Sequence, residues 1–431
     1  MKKLSCAGAF AFVAAFSGNA HAGVDLFGPG TVQAWADVRL VSADGENSWL
    51  DGGFGKLRYG DVSELDLAQA AVQWTPRLTD TLTAYIVVQE VPDVERPFGF
   101  EEAYLKWRPL PTVTAAGVYH FTFRAGQMFP PISMENDGVG WTPSRTLTPS
   151  AIDSWVGEEL LVEGAEASVV TQAGDHSLGA TLGVFSKDDT AGTLLAWRGW
   201  ALQDIASDQN TLLPLPSGPQ GYTALFGAYQ SYDSRPYVEI NQRLGYYTRL
   251  DWRPPAAVAF NLELYENPGD PSLVRNGQWS WATHFWNLGT QYRLSDRDVL
   301  LSQVLSGGTK TGEALGDGYR AVDVDFSSAY LLLSHDLGHD LGSGGQGPAQ
   351  NGKLTARVDY FDVKGLSLQT IDNNTDRGYA LTVAWLRPLT AHLDFALEGV
   401  QVWSDHPARV TQMLDPQQAQ TQLQMAFKLH L

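Results

Sequence analysis

Runs of strict apolar–polar alternation recur along this chain, and no other feature restricts its fold as much. Val32, Ala34, Ala36, Val38 and Leu40 share one face of Thr31–Val41, and Gln33, Trp35, Asp37 and Arg39 share the other. Leu82, Ala84, Ile86 and Val88 oppose Thr81, Thr83, Tyr85 and Gln89 in the same way. Tyr119, Phe121, Phe123 and Ala125 oppose His120, Thr122 and Arg124; Val258, Phe260, Leu262 and Leu264 oppose Ala259, Asn261 and Glu263. Val322, Val324 and Phe326 oppose Asp323, Asp325 and Ser327, and Tyr379, Leu381, Val383 and Trp385 repeat the pattern. Successive strand side chains point to opposite faces, so a period of two sustained over about ten residues specifies β-strands.

Composition narrows the environments open to such strands. After the first 22 residues no run approaches the roughly 18 apolar residues of a membrane helix. At 44% hydrophobic and 11% aromatic the chain is too apolar for disorder. Its 48 acids against 29 bases, a net charge of -19, exclude a nucleic-acid binder. A soluble β-sandwich or a transmembrane barrel remains. Charges at mid-strand on the polar face, such as Asp323 with Asp325, suit a water-filled lumen. Strands of about nine to eleven residues suit a tilted crossing of the hydrocarbon. The fold expected is all-β, a transmembrane antiparallel barrel.

Both ends of the chain agree. Met1-Lys2-Lys3, the apolar Leu4–Phe16 and Ala20-His21-Ala22 form an export signal, with cleavage expected after Ala22. The single cysteine, Cys6, lies within it, so residues 23–431 contain none. At the other end Leu423, Met425, Phe427, Leu429 and Leu431 alternate to the terminus, resembling the closing strand by which barrel assembly machinery recognises outer-membrane proteins. Trp74-Thr75-Pro76, Trp107-Arg108-Pro109, Trp252-Arg253-Pro254 and Trp385-Leu386-Arg387-Pro388 each mark a strand end, because proline cannot donate to a ladder. Their tryptophans fit an aromatic girdle at headgroup depth, as do most of the 14. Longer Gly-, Asp- and Pro-rich segments alternate with these turns: 42–60, 91–99, 267–278, 307–318 and 405–420. Short turns at one end and long loops at the other give about 18 strands, or about 16 if Trp197–Tyr232 forms one loop.

The longest interruption, Met128–Glu158, is expected to fold into the pore. Arg124-Ala125-Gly126-Gln127 precedes it, followed by Pro130-Pro131 and Ser133-Met134-Glu135-Asn136. This stretch resembles the phosphate-selective porin O and P family. The resemblance implies a trimeric, 16-stranded outer-membrane channel for passive diffusion, without catalysis or cofactor. An anion pore calls for rings of Lys or Arg, and no lysine cluster accompanies the loop, which carries Glu135, Asp137, Arg145, Asp153, Glu158 and Glu159. Arg39, Arg124, Lys106 and Arg108 fall on polar strand faces and could oppose those acids as a basic ladder. With Glu135 and Asp137 at the constriction, the sequence predicts weak cation preference or near-neutral passage. Trp35, Trp141 and Trp155 are further candidates for lining the pore.

Motifs of catalysis and cofactor binding fail on context. Gly342–Gly347 spells G-x-G-x-x-G, but Pro348 follows where a helix is required. Gly347–Lys353 falls short of a phosphate loop, since Leu354 replaces the hydroxyl and Lys353 opens a strand. His335 and His339 flank Gly338 in loop-like sequence rather than on a metal-binding helix. Asp372, Asn374 and Asp376 have calcium-loop spacing, but Arg377 takes the glycine position. The reading is a porin of a Gram-negative outer membrane, among lipid and lipopolysaccharide, passing small polar solutes or ions. The alternative is a non-channel barrel with a structural, adhesive or secretion-conduit role, which calls for unusually long loops or a partner-sized lumen.

Overall fold

The computed structural model describes residues 24–216, 231–316, 319–338, 351–365 and 374–431. The export signal, the glycine-rich run 342–347, His339 and Asp372 lie outside them. Sixteen antiparallel strands form one closed sheet. They are β1 (Val32–Asp44), β2 (Val62–Trp74), β3 (Leu82–Glu90) and β4 (Phe98–Trp107, resuming at Thr112–Thr114). Next come β5 (Gly117–Met128), β6 (Val162–Ala173), β7 (His176–Ser186), β8 (Gly245–Arg253) and β9 (Val258–Pro268). Then follow β10 (Ala282–Arg293), β11 (Asp298–Gly316), β12 (Tyr319–Asp336) and β13 (Lys353–Gly365). β14 (Asp376–Thr390), β15 (Leu393–Asp405) and β16 (Gln417–His430) complete the wall. Each strand pairs with its chain neighbours, and β1 closes the barrel on β16 from Trp35↔His430 to Asp44↔Thr421. Trp197–Tyr232 contributes no wall strand among its described residues, which reduces the alternative of about 18 strands to 16.

The faces of the wall are inverted relative to a water-soluble protein. Leu40, Leu105, Leu182, Leu250, Leu262, Leu264, Leu288, Leu331, Leu381 and Leu397 stand outward, each 42–56% exposed. In water this would forgo on the order of 10 kcal/mol of burial, as much as the whole stability of a typical domain. Lipid removes that cost. Aromatic rings border the apolar band, with Trp107 stacked on Phe123 and Trp252 on Phe260 at the turn end. Tyr246, Tyr379 and Trp403 border it at the loop end.

Four sequence expectations are corrected here. The alternation at 322–326 runs the other way: Val322, Val324 and Phe326 are buried on the inner face, while Asp325 is exposed outside and Asp323 pairs with Lys310 at 3.2 Å. The inner wall there packs on protein instead of water, as Trp200 against Phe326 shows. Among its described residues the stretch 307–318 is no long loop, because β11 runs on to Gly316 over 19 residues, and β12 spans 18. Gly307 stays in the ladder opposite Phe285 and Phe326, where a Cβ would lie 2.1 Å from the His284 carbonyl. Trp385–Pro388 lies within β14, with Pro388 beside a register irregularity that spares the ladder its missing N–H. Finally, Trp49, Trp155, Trp197, Trp200, Trp279 and Trp281 are buried, so the girdle takes fewer tryptophans than expected.

Candidate functional site

The loop after β5 is built to leave its strand and cross to the opposite wall. Pro130 and Pro131 end the ladder, and the Ser133 hydroxyl turns the chain by accepting the N–H groups of Glu135 (3.0 Å) and Asn136 (2.9 Å). Inward side chains of successive strands then hold its backbone. Arg249 of β8 donates to the Pro131 carbonyl, and Asn287 of β10 and Gln303 of β11 donate to the Ile132 carbonyl at 3.1 and 2.9 Å. Arg357 of β13 donates to the carbonyls of Thr148 (2.9 Å) and Pro149 (2.8 Å). Glu398 of β15 accepts the N–H groups of Leu147 (2.6 Å) and Thr148 (2.9 Å). On the β1 side Gly140 lies against Trp35. Its φ is +60, and a Cβ there would lie 2.0 Å from the Trp35 ring, so glycine alone fits.

A second segment, 187–216, packs on the first. The Ala191 carbonyl accepts the hydroxyls of Thr283 and Thr309, and the Trp200 indole donates to the Asp362 carbonyl at 3.1 Å. The Trp155 indole donates to the Gly199 carbonyl at 3.0 Å, and Ser154 and Gln203 bond reciprocally at 3.0 and 2.8 Å. Trp155, Leu195, Trp200 and Leu202 join inner-wall Phe285, Leu305 and Phe326 in one apolar cluster. Much of the barrel interior is therefore a protein core.

Several of the charges inside are paired. Glu135 meets Arg357 at 3.0 Å, and Arg357 also holds Asp359 at 2.8 Å. Asp137 meets Arg145 at 3.0 Å within the loop itself. Arg39 is held by Asp37 at 2.8 Å and Asp204 at 2.5 Å, and Arg124 by Glu166 at 2.6 Å. Lys106 lies opposite Arg124 across the β4–β5 pair, and Arg108 is exposed at the turn end. The structure thus brings Glu135 to a cation outside the sequence candidates, and gives Arg39 and Arg124 acids from their own wall or from the second segment. Arg357, Glu398, Asp204 and Lys428 are site residues that the sequence does not single out. Arg357 and Glu398 sit on alternating strands like many others, and nothing in their local sequence marks what they will touch.

The loop's remaining acids are buried. Burial pushes Asp153 well above the ordinary carboxylate range, and neighbouring Glu135 adds to it. Burial does the same to Glu158, reinforced by Asp153 and Asp204, and to Glu159. Burial also opposes ionisation of Asp204, but Arg39 and Arg58 outweigh it and hold that carboxyl below its usual range.

Between the loop and the wall of β1 and β14–β16 lies a cavity of about 490 Å³ that opens at the turn end, lined in part by Trp35, Pro143, Leu147, Arg387, Phe395 and Lys428. Above it, where Arg39, Asp204, Glu158, Trp141 and Leu147 converge, a cavity of about 20 Å³ remains, room for about one water. Lys428 borders both.

Two solved structures share this architecture. The anion-selective porin from Comamonas acidovorans superposes with a TM-score of 0.50 at 11% identity, over 93% of this chain and 99% of that one. The outer membrane channel DcaP of Acinetobacter baumannii gives 0.50 at 9% identity, over 95% and 98%. No family model and no curated relative matches the chain. The likeness establishes the fold and is to bacterial porins in general, not to the phosphate-selective O and P family in particular.

Proposed function

We propose that the chain is an outer-membrane channel for passive diffusion of small polar solutes or ions, with Met128–Glu158 as its constriction. The observation that carries this reading is the way the interior is narrowed. Inward side chains from β8, β10, β11, β13 and β15 hold the loop by its backbone, and a cavity of about 490 Å³ beside the loop adjoins a much smaller one of about 20 Å³. A barrel with only a structural role has no need of a polar, loop-narrowed interior. A secretion conduit needs a partner-sized lumen, and apolar packing of both segments works against one. In this reading the export signal is removed after Ala22, the turn end faces the periplasm, lipid and lipopolysaccharide surround the wall, and three copies assemble. Arg39, Lys106, Arg108, Arg124, Glu135, Asp137 and Arg145 set the field along the path. Planar-bilayer recording of the folded protein tests it: stepwise conductance is expected, and a folded barrel that conducts at no voltage overturns it.

A further inference from the structure

On the outside of the wall the apolar band is interrupted over β8–β12. There β11 turns Ser306 and Gly308 outward and β12 turns Ser327 outward, in place of the larger apolar residues found elsewhere on that face. Gly308 lies between its neighbours' side chains, where a Cβ would be 3.4 Å from the His284 ring and 3.2 Å from the Asp325 carboxylate. These small residues leave a groove of about 620 Å³, flanked by Trp286 and His284 of β10 and by Asp325 of β12. Tyr246 of β8 and Glu266 of β9 extend it. Toward the turn end, the next outward positions of β8, β9 and β10 are Leu250, Leu262 and Leu288. They line a second groove of about 520 Å³, chiefly apolar, that reaches Trp252 and Phe260. A polar groove thus stands directly over an apolar one on the same three strands.

The polar part has groups to offer. Glu266, His284 and Asp325 make no ion pair and no side-chain hydrogen bond among the described residues. Outward histidines at the other end of the wall are paired, His335 with Asp298 at 2.7 Å and His430 with Asp394 at 2.8 Å. Position says what meets the free groups. The groove lies on the loop side of the outward leucines, beside Tyr246, which is headgroup depth. A bare phosphate head would face Glu266 and Asp325 with only Lys364 in its favour, and Lys364 already lies 3.8 Å from Asp362. Sugars suit the groove better. Their hydroxyls donate to carboxylates in charge-assisted bonds, and the C–H face of a sugar ring lies flat on the apolar body of Tyr246 or Trp286. Beneath, Leu264 to Phe260 spans about 13 Å of strand, room for much of an acyl chain.

We infer that this two-part groove binds a glycolipid of the outer leaflet, its sugar head in the upper part and one acyl chain in the lower. The inference rests on the channel reading only for the direction in which the loop end faces.

Native mass spectrometry of the folded full-length protein, released from nanodiscs, counts the lipid it retains. The probes are glucosyl diacylglycerol, phosphatidylglycerol with the same acyl chains, and deep-rough lipopolysaccharide. Both glycolipids are expected to stay bound under conditions that strip phosphatidylglycerol. Ser306→Leu with Gly308→Leu fills the upper groove with the side chain most of the outer wall carries, and is expected to cut glycolipid retention about tenfold, the loss of a few contacts. Glu266→Gln with Asp325→Asn keeps the shape, is expected to act in the same direction, and serves if the leucine variant does not fold. Equal retention of phosphatidylglycerol overturns the sugar head. Glycolipid retention that both variants leave unchanged overturns the inference while the channel stands. A leucine variant that changes oligomeric state and not glycolipid retention assigns the groove to a second copy and overturns it too. Selective retention by a barrel that never conducts upholds the site and overturns the channel reading instead.

Discussion

Arg357 shows how much of this interior hangs on one side chain. Its guanidinium is fully buried and, steadied by Asp359 of the same strand, joins β13 to Glu135 and the carbonyls of Thr148 and Pro149. Arg357→Ala would leave two buried carboxylates without their cation, a loss of about 3–5 kcal/mol by the precedent of broken buried pairs. The variant is expected to melt at lower temperature in detergent and to conduct more, since the loop loses its anchor. An unchanged melting curve would show that the loop is held elsewhere. Asp153, Glu158 and Glu159 carry a pH dependence of definite sign. Their folded pKa values lie above the ordinary carboxylate value, so the folded loop binds more protons than the unfolded one. Their contribution to stability is complete below the ordinary value and is lost as pH rises through the raised ones. Amide exchange across 150–161 is therefore expected to quicken on going from mildly acidic to alkaline buffer beyond its intrinsic rise. Glu158→Gln with Glu159→Gln is expected to blunt that excess.

At the scale of elements, outward faces are legible in the sequence and inward ones are not. Lipid asks the same of every outward position, so Leu262, Leu264, Leu381 and Val383 alternate as simple apolar repeats. Inward positions answer to whatever lies across the lumen. Val322, Val324 and Phe326 face the packed 187–216 segment, so apolar residues belong inside there and the period alone points to the wrong face. Gly307 resembles a loop residue because its reason, close approach to the His284 carbonyl, is a contact between strands. The loop's length and its Pro130-Pro131 start are visible in sequence, but its partners come from strands more than a hundred residues away. Lys428 reads in sequence only as part of a closing signal, although its side chain points inward. Deleting residues 138–148 removes the groups that narrow the path beside β1 and β16. Higher single-channel conductance with the barrel still folded is expected, and unchanged conductance would place the constriction elsewhere.

For the molecule as a whole, closure and conduction are the properties at stake. Removing Lys428–Leu431 takes away the partners of Trp35, Ala36 and Asp37 at the seam. Antiparallel edges left open in lipid carry unsatisfied backbone groups at several kcal/mol each, so the truncated chain is expected to lose its heat-modifiable form. Full recovery of that form would show that the seam closes without the terminus. Narrowness is the more telling property, because an interior filled by its own loops distinguishes this barrel from a wide pore of the same strand number. Single-channel recording of the folded full-length protein, side by side with the 138–148 deletion, addresses it most directly. Small, discrete conductance steps that grow on deletion are the predicted result; folded protein that is silent at every voltage, before and after deletion, would contradict it.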